Sequence, residues 1–296
     1  MSAGPVAYQE HPGLAWLRGS ERGRAFLAAL PGLVAGCVER WSLTLGEPFP
    51  YAHASLALPA TLLDGTDAVL KVAFPDRESE FEAAALRCYD GNGAVRLLDH
   101  DADRWALLLE RCRPGTSLAE LDNDAAIAVM VDLLPRLLVP AGAPFGSLAD
   151  EAVSWAAELA RQYELTGQPF DRPLFDLAMD LLDALPGSQS ADQVLLHQDL
   201  HADNVLRATR EPWLVIDPKP LVGEREFAVA PLVRGPELGH SRALVRRRLD
   251  ALTAELGLDR ERARGWAIAQ TLSWGFERDR VLPNHVEVAR WLAEDR

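Results

Sequence analysis

Leu195-Leu196-His197-Gln198-Asp199-Leu200-His201-Ala202-Asp203-Asn204-Val205-Leu206, followed shortly by Trp213-Leu214-Val215-Ile216-Asp217-Pro218-Lys219-Pro220, carries the densest chemistry in the chain. Residues 205–207 and 213–216 are short apolar runs, and 208–212 between them has the composition of a turn, with a proline. Folded as a hairpin, the two runs bring Asn204 and Asp217 to one end. Asp199 lies one loop earlier and faces the same opening. A carboxamide and two carboxylates therefore converge. Mg²⁺ is held by a few such hard oxygens, with phosphate oxygens completing its shell. The remaining Asp is then placed to orient a hydroxyl and accept its proton.

A single Asp or Asn at a strand end is more often a turn former than a ligand. The combination is what separates the two meanings: His-x-Asp-x-x-x-x-Asn between apolar runs, then Asp217 after the second run. This spacing matches the catalytic loop of the protein-kinase fold. Together with Ile-Asp-Pro-Lys-Pro at 216–220 and Gly-Glu-Arg-Glu-Phe at 223–227, it resembles the aminoglycoside phosphotransferase superfamily. Within that superfamily it is most similar to the streptomycin 6-phosphotransferase branch, the aminoglycoside/hydroxyurea antibiotic resistance kinases. The resemblance runs from about residue 43 to the C-terminus.

The resemblance implies an α+β, protein-kinase-like, two-lobed fold. Residues 1–113 form an N-lobe, a small antiparallel nucleotide-binding sheet with helices. Residues 114–296 form a mainly helical C-lobe with the catalytic loop and substrate site. The cofactors implied are ATP (or GTP) and Mg²⁺, and the substrate is a small cationic compound bearing a hydroxyl.

Composition agrees with an ordinary globular protein. The chain has 296 residues, 48% hydrophobic and 25% charged, enough for one large or two small cores. Its net charge of −14 argues against a nucleic-acid partner and favours a cationic one. Three scattered cysteines, Cys37, Cys88 and Cys112, suggest neither a disulfide framework nor a zinc ribbon. No signal-peptide pattern opens the sequence and no apolar run reaches membrane-spanning length, so a cytoplasmic monomer or dimer is expected.

Outward from the central stretch, residues 20–30 predict a short helix ended by Pro31-Gly32, and 43–63 a first hairpin. Its loop holds Gly46 but no Gly-x-Gly-x-x-Gly, and Ser55 is its best polar donor. Residues 68–74 predict a strand. Lys71 within it needs an anionic partner, because burying an unpaired ammonium is costly. Glu78 and Glu82 share one face of the helix expected over 78–89. Either satisfies the spacing, and the resemblance favours Glu82. Strands are expected at 95–98 and 105–110 around a turn at 99–103, and Pro114-Gly115 marks a hinge. There the resemblance places the adenine on the Glu110 carbonyl and the Cys112 amide. Helices are expected over 117–138, 148–165, 171–185, 241–256, 259–278 and 284–293. Arg246-Arg247-Arg248 within them predicts a solvated basic face.

The resemblance assigns roles. Lys71 neutralises nucleotide phosphates and Glu82 positions it. Asn204 and Asp217 hold Mg²⁺, and Asp199 orients the hydroxyl and accepts its proton. His197 and His201 are structural, Asp203 faces solvent or caps a turn, and Lys219 balances charge or touches phosphate. Substrate candidates are Glu224, Glu226, Glu237, Glu277 and Trp274, the last on a helix facing the cleft. One departure stands out. Relatives carry an acid just after Glu-Arg-Glu-Phe that anchors the catalytic loop, and here that place is Ala228. Either the loop lacks that support, or another acid such as Glu224 or Glu226 supplies it. Competing readings are a kinase of another hydroxyl compound (a sugar, choline-like alcohol, hydroxyurea or macrolide), a nucleotide-binding pseudokinase, and a metal hydrolase using His197 and His201.

Overall fold

The computed structural model describes residues 8–50, 54–187, 193–277 and 280–294. The chain divides into two compact units. The first comprises Met1–Gly115 with Ala208–Arg210, and the second Thr116–Arg207 with Glu211–Arg296.

In the first unit, helix α1 (Glu21–Trp41) precedes a five-stranded antiparallel sheet. The strands are β1 (Thr44–Leu45), β2 (Ser55–Thr61), β3 (Asp67–Ala73), β4 (Leu97–Asp101) and β5 (Ala106–Glu110), in the order β1-β2-β3-β5-β4. Helix α2 (Glu82–Tyr89) lies between β3 and β4 in sequence. The expected stop at Pro31-Gly32 does not occur: α1 runs through Pro31 to Trp41. Phe26, Leu27, Leu30, Val34 and Cys37 recur at helical spacing and pack with Leu56, Leu58, Leu70, Val72 and Leu108 in one core. Burying each large side chain contributes about 2 kcal/mol, so together they outweigh the roughly 3 kcal/mol cost of an internal proline.

Two other boundaries move for local reasons. The expected turn at 99–103 is in large part strand, because β4 extends to Asp101, whose buried carboxylate is held by Arg104 at 2.6 Å. Charged residues on an edge strand hid it. The helix expected from Glu78 starts at Glu82. The preceding residues form a turn in which Asp76 Oδ1 accepts from the Ser79 amide at 2.8 Å. Of the first loop, residues 51–53 lie outside the described residues, and Ser55 is buried at the start of β2.

The second unit is mostly helical. Its longer helices are α3 (Asn123–Leu137), α4 (Leu148–Leu165) and α5 (Arg172–Ala184) before the central stretch, and α7 (Arg242–Leu256), α8 (Arg260–Ser273) and α9 (Pro283–Ala293) after it; the short α6 (Ala230–Arg234) precedes α7. The helix expected from residue 117 is broken. Asp122 caps a new start by accepting from the Ala125 amide at 2.9 Å. Between α5 and α6 lie two small antiparallel pairs, β6 (Val194–His197) with β9 (Pro220–Gly223), and β7 (Val205–Arg207) with β8 (Trp213–Val215). The β7–β8 pair is the hairpin read from the sequence. Helix α8 ends at Ser273 rather than 278. Trp274 is its C-cap, and Phe276–Glu277 pair with Arg280–Val281 as β10 and β11.

Candidate active site

In the first unit Lys71 sits in β3, flanked in register by Ala57 on β2 and Leu107 on β5. It is buried, and its Nζ lies 2.6 Å from Glu82 Oε2. Glu82 is only 1% exposed and stands in the first turn of α2, where the positive end of the helix dipole favours a carboxylate. Of the two acids sharing that face in the sequence, the structure pairs Lys71 with Glu82.

At the end of β5 the Glu110 carboxylate accepts from Arg210 Nε at 2.8 Å and Nη2 at 2.9 Å, and from the Arg96 amide at 3.0 Å. Burial alone would raise its pKa, but Arg210 and Arg96 hold it below the usual range. Burial, reinforced by the Glu110 charge, pushes the Cys112 thiol up to about 12, so it stays protonated. The Glu110 carboxylate is thus occupied and the Cys112 thiol inert. The nucleotide reading concerns their backbone groups alone.

In the second unit the register of β6 and β9 builds the centre. His197 pairs with Pro220, and the Gln198 amide donates to the Lys219 carbonyl at 3.0 Å. Asp199 and Lys219 therefore leave their strands side by side, with Lys219 Nζ 2.9 Å from Asp199 Oδ2. Arg234, the last residue of α6, brings Nη2 to 3.5 Å from the other oxygen, Oδ1. Burial would raise the Asp199 pKa, yet Lys219, His201 and Arg234 together hold it below the ordinary carboxylate value. The Arg234 guanidinium lies 4.6 Å from the centre of the Trp274 ring, and Lys219 Nζ lies 5.8 Å from the same ring.

The loop itself is fixed by side chains bonding to backbone. His197 Nδ1 accepts from the Asp199 amide at 3.2 Å, so Nε2 carries the proton and donates to the Ile216 carbonyl at 3.1 Å. Burial pushes its pKa down to about 4, and the ring stays neutral. With both nitrogens committed to the backbone, His197 cannot ligate zinc. Asn204 Nδ2 donates to the Asp199 carbonyl at 2.9 Å. The Asn204 carbonyl accepts from the Ile216 amide at 2.9 Å, which brings Asn204 beside the residue preceding Asp217. Asp217 has φ 54°, a left-handed conformation that Asp tolerates better than most residues. The commitment of Nδ2 leaves Asn204 Oδ1, a hard oxygen, as the atom suited to a cation. Asp203 Oδ1 accepts from Ser117 Oγ at 2.7 Å, holding the loop rather than facing a ligand.

The substrate candidates separate. Glu224 is buried and committed: its carboxylate is gripped by Arg262 at 2.7 and 2.9 Å and accepts from Trp266 Nε1. It is a core anchor and not a free recognition carboxylate. Glu226 is half-buried in the turn Arg225–Val229, and no contact joins it to Asp199 among the described residues. Glu277 is exposed on β10 and faces Arg280 at 3.6 Å. Trp274 joins the centre through Arg234 and Lys219, although from the end of α8 rather than from within a helix. Glu237 also reaches the centre, but through the loop backbone: its Oε1 accepts from the Ala202 amide at 2.9 Å. Gln270 Nε2 donates to the Gln198 carbonyl at 2.6 Å. These two bonds support the loop, and among the described residues neither Glu224 nor Glu226 makes a hydrogen bond to it.

The sequence reading missed Arg234, Gln270 and Arg210. Arg234 had a legible signal, since it ends the apolar run from Phe227 to Val233 as Lys71 interrupts its strand. Arg248 was misread. Far from solvated, it is 1% exposed and donates to backbone carbonyls.

The fold is that of small-molecule kinases. A choline/ethanolamine kinase family protein from Mesorhizobium loti superposes with a TM-score of 0.61 at 14% identity, covering 93% of this chain and 94% of that one. The family is set by sequence. Residues 40–280 match the aminoglycoside/hydroxyurea antibiotic resistance kinase family, and the chain belongs to it. It is 40% identical to a streptomycin 6-kinase of Streptomyces griseus over 288 residues, 93% of each chain. It is 42% identical to a hydroxyurea phosphotransferase of Kitasatospora aureofaciens over 284 residues, 92% of this chain and 80% of the relative.

Proposed function

We propose that the protein transfers the terminal phosphoryl group of ATP or GTP to a hydroxyl of streptomycin in the cytoplasm. The observation that carries the reading is Asp199: an ionised, mostly buried carboxylate held between Lys219 and Arg234 on a loop fixed by four side-chain hydrogen bonds to the backbone of Gln198, Asp199 and Ala202. Similarity to the streptomycin 6-kinase over nearly the whole chain supports the substrate.

Each residue has a physical task. Lys71, held in place by Glu82, neutralises nucleotide phosphate oxygens. The Glu110 carbonyl and Cys112 amide receive the base. Asn204 Oδ1 and the Asp217 carboxylate have the oxygen chemistry that fits Mg²⁺, which when bound offsets phosphate charge. Asp199 accepts a hydrogen bond from the substrate hydroxyl. As the hydroxyl oxygen bonds to phosphorus, the bond to the bridging oxygen breaks, the nucleoside diphosphate leaves with its electron pair, and the proton passes to Asp199. Its lowered pKa makes Asp199 a weak base, which suits a loose transition state where orientation counts for more than proton abstraction. Trp274 offers an aromatic wall to a cationic substrate.

Hydroxyurea is the second reading, favoured by the hydroxyurea phosphotransferase at comparable identity. Initial rates with streptomycin and hydroxyurea at matched concentrations decide between them. The proposal expects kcat/KM for streptomycin to be at least about tenfold higher, a difference of about 1.4 kcal/mol in transition-state binding. The reverse order would move the substrate to hydroxyurea.

A further inference from the structure

Segment 233–239 carries two side chains that reach the catalytic loop. Arg234 approaches the Asp199 carboxylate, and Glu237 accepts from the Ala202 amide at 2.9 Å. A Cβ at Gly235 would stand 2.5 Å from Glu237 Oε1, so a larger residue there would have to displace the carboxylate. The segment has little regular structure of its own, being the end of α6 and the turn Pro236–Leu238. It is held by one residue from another helix. Arg248 on α7 donates to the carbonyls of Val233 at 3.0 Å, Gly235 at 3.1 Å, Leu238 at 3.2 Å and Gly239 at 3.1 Å, and to Asn123 Oδ1 at 3.1 Å.

We infer that Arg248 and Glu237 are positioning residues for phosphotransfer: Arg248 shapes the 233–239 segment, and Glu237 uses that shape to pin the catalytic loop. A buried guanidinium spread over four carbonyls is a rigid template, because its planar fork fixes all acceptors at once. A lysine cannot reproduce this. Glu237 acts as a hydrogen-bond acceptor toward the loop, and it does not recognise a cationic substrate. The inference rests on the kinase reading for its consequence in rate, but not for its geometry.

The test compares Glu237→Ala, Glu237→Gln and Arg248→Lys with Arg247→Gln, the exposed neighbour on α7, in the full-length protein well below its melting temperature. Exchange of the Ala202 amide with solvent is read by NMR beside steady-state kinetics. Glu237→Ala and Arg248→Lys should expose the Ala202 amide and lower kcat, Glu237→Ala by about 100-fold, as expected for an ångström-scale misplacement of a catalytic group. KM for nucleotide and streptomycin should change less than about threefold. Glu237→Gln retains an acceptor oxygen and should restore both protection and kcat to within about threefold. Arg247→Gln should match wild type. Unchanged Ala202 exchange in Glu237→Ala overturns the inference. So does a raised KM for streptomycin with kcat intact, which would make Glu237 a substrate carboxylate. If wild type phosphorylates neither streptomycin nor hydroxyurea, the functional reading fails, while the exchange data still decide the positioning role.

Discussion

Each unit buries a cation, in opposite ways. In the first, Lys71 has a carboxylate at 2.6 Å, supplied by the first turn of a helix. In the second, Arg248 has no carboxylate within salt-bridge distance among the described residues and is satisfied by four backbone carbonyls and one carboxamide. The first arrangement sets a compact point charge against a carboxylate. The second uses a planar donor as a structural rivet. Lys71 and Arg248 thus differ in what they touch, a carboxylate in one case and carbonyl oxygens in the other, and burial alone does not distinguish the two.

Substitutions should expose this difference. Arg248→Met removes the donor from three buried carbonyls, those of Val233, Gly235 and Leu238, and from two part-buried acceptors, the Gly239 carbonyl and Asn123 Oδ1. At about 1–2 kcal/mol for each buried carbonyl, it should destabilise the protein by roughly 4–5 kcal/mol, read as a lower urea midpoint. Lys71→Met removes the ammonium 2.6 Å from the buried Glu82 carboxylate and should cost about 3–4 kcal/mol. Glu82→Gln in the same background should recover part of that loss, since it removes a buried charge. A rivet has no such rescue by a single change, and recovery of Arg248→Met by one substitution would erase the contrast.

Acid should strain the second unit through His285 on α9. Burial, with Arg234 and His240 nearby, lowers its pKa from 6.5 to about 4. Between those values the unfolded chain binds the proton more readily than the folded one. Stability therefore falls as pH drops below about 6.5 and levels off near 4, by up to roughly 3 kcal/mol from this residue. His285→Gln should reduce the slope of that part of the stability–pH curve without abolishing it, since buried His197, its pKa also lowered to about 4, contributes over the same window. The smallest effect belongs to Arg247, exposed and paired with Asp124 at 3.0 Å. Arg247→Gln should leave the urea midpoint unchanged, marking the solvated face that the whole Arg246–Arg248 run suggested.

What the sequence disclosed follows the same division. The α+β kinase-like architecture was legible because strand–loop–strand spacing and the Ile-Asp-Pro-Lys-Pro string are local. Lys71 was legible because a charge inside an apolar strand demands an explanation, and two glutamates lay one turn apart within reach. Arg248 was not, because three consecutive arginines on a helix look alike and only packing separates their faces. Glu237 was noticed, but as a recognition carboxylate. Its tie to Ala202 spans 35 residues and depends on how 233–239 bends, which no local pattern encodes. The stop expected at Pro31 failed for a related reason: tertiary burial along α1 overrode a local breaker.

The most direct test of the central claim is mass spectrometry of streptomycin after incubation with nucleotide, Mg²⁺ and either wild type or Asp199→Ala. Wild type should add the mass of one phosphate to streptomycin, and Asp199→Ala should lose at least about 1,000-fold in rate while still binding nucleotide. Equal transfer by both proteins would contradict the role given to Asp199, and no transfer by wild type would contradict the assigned substrate.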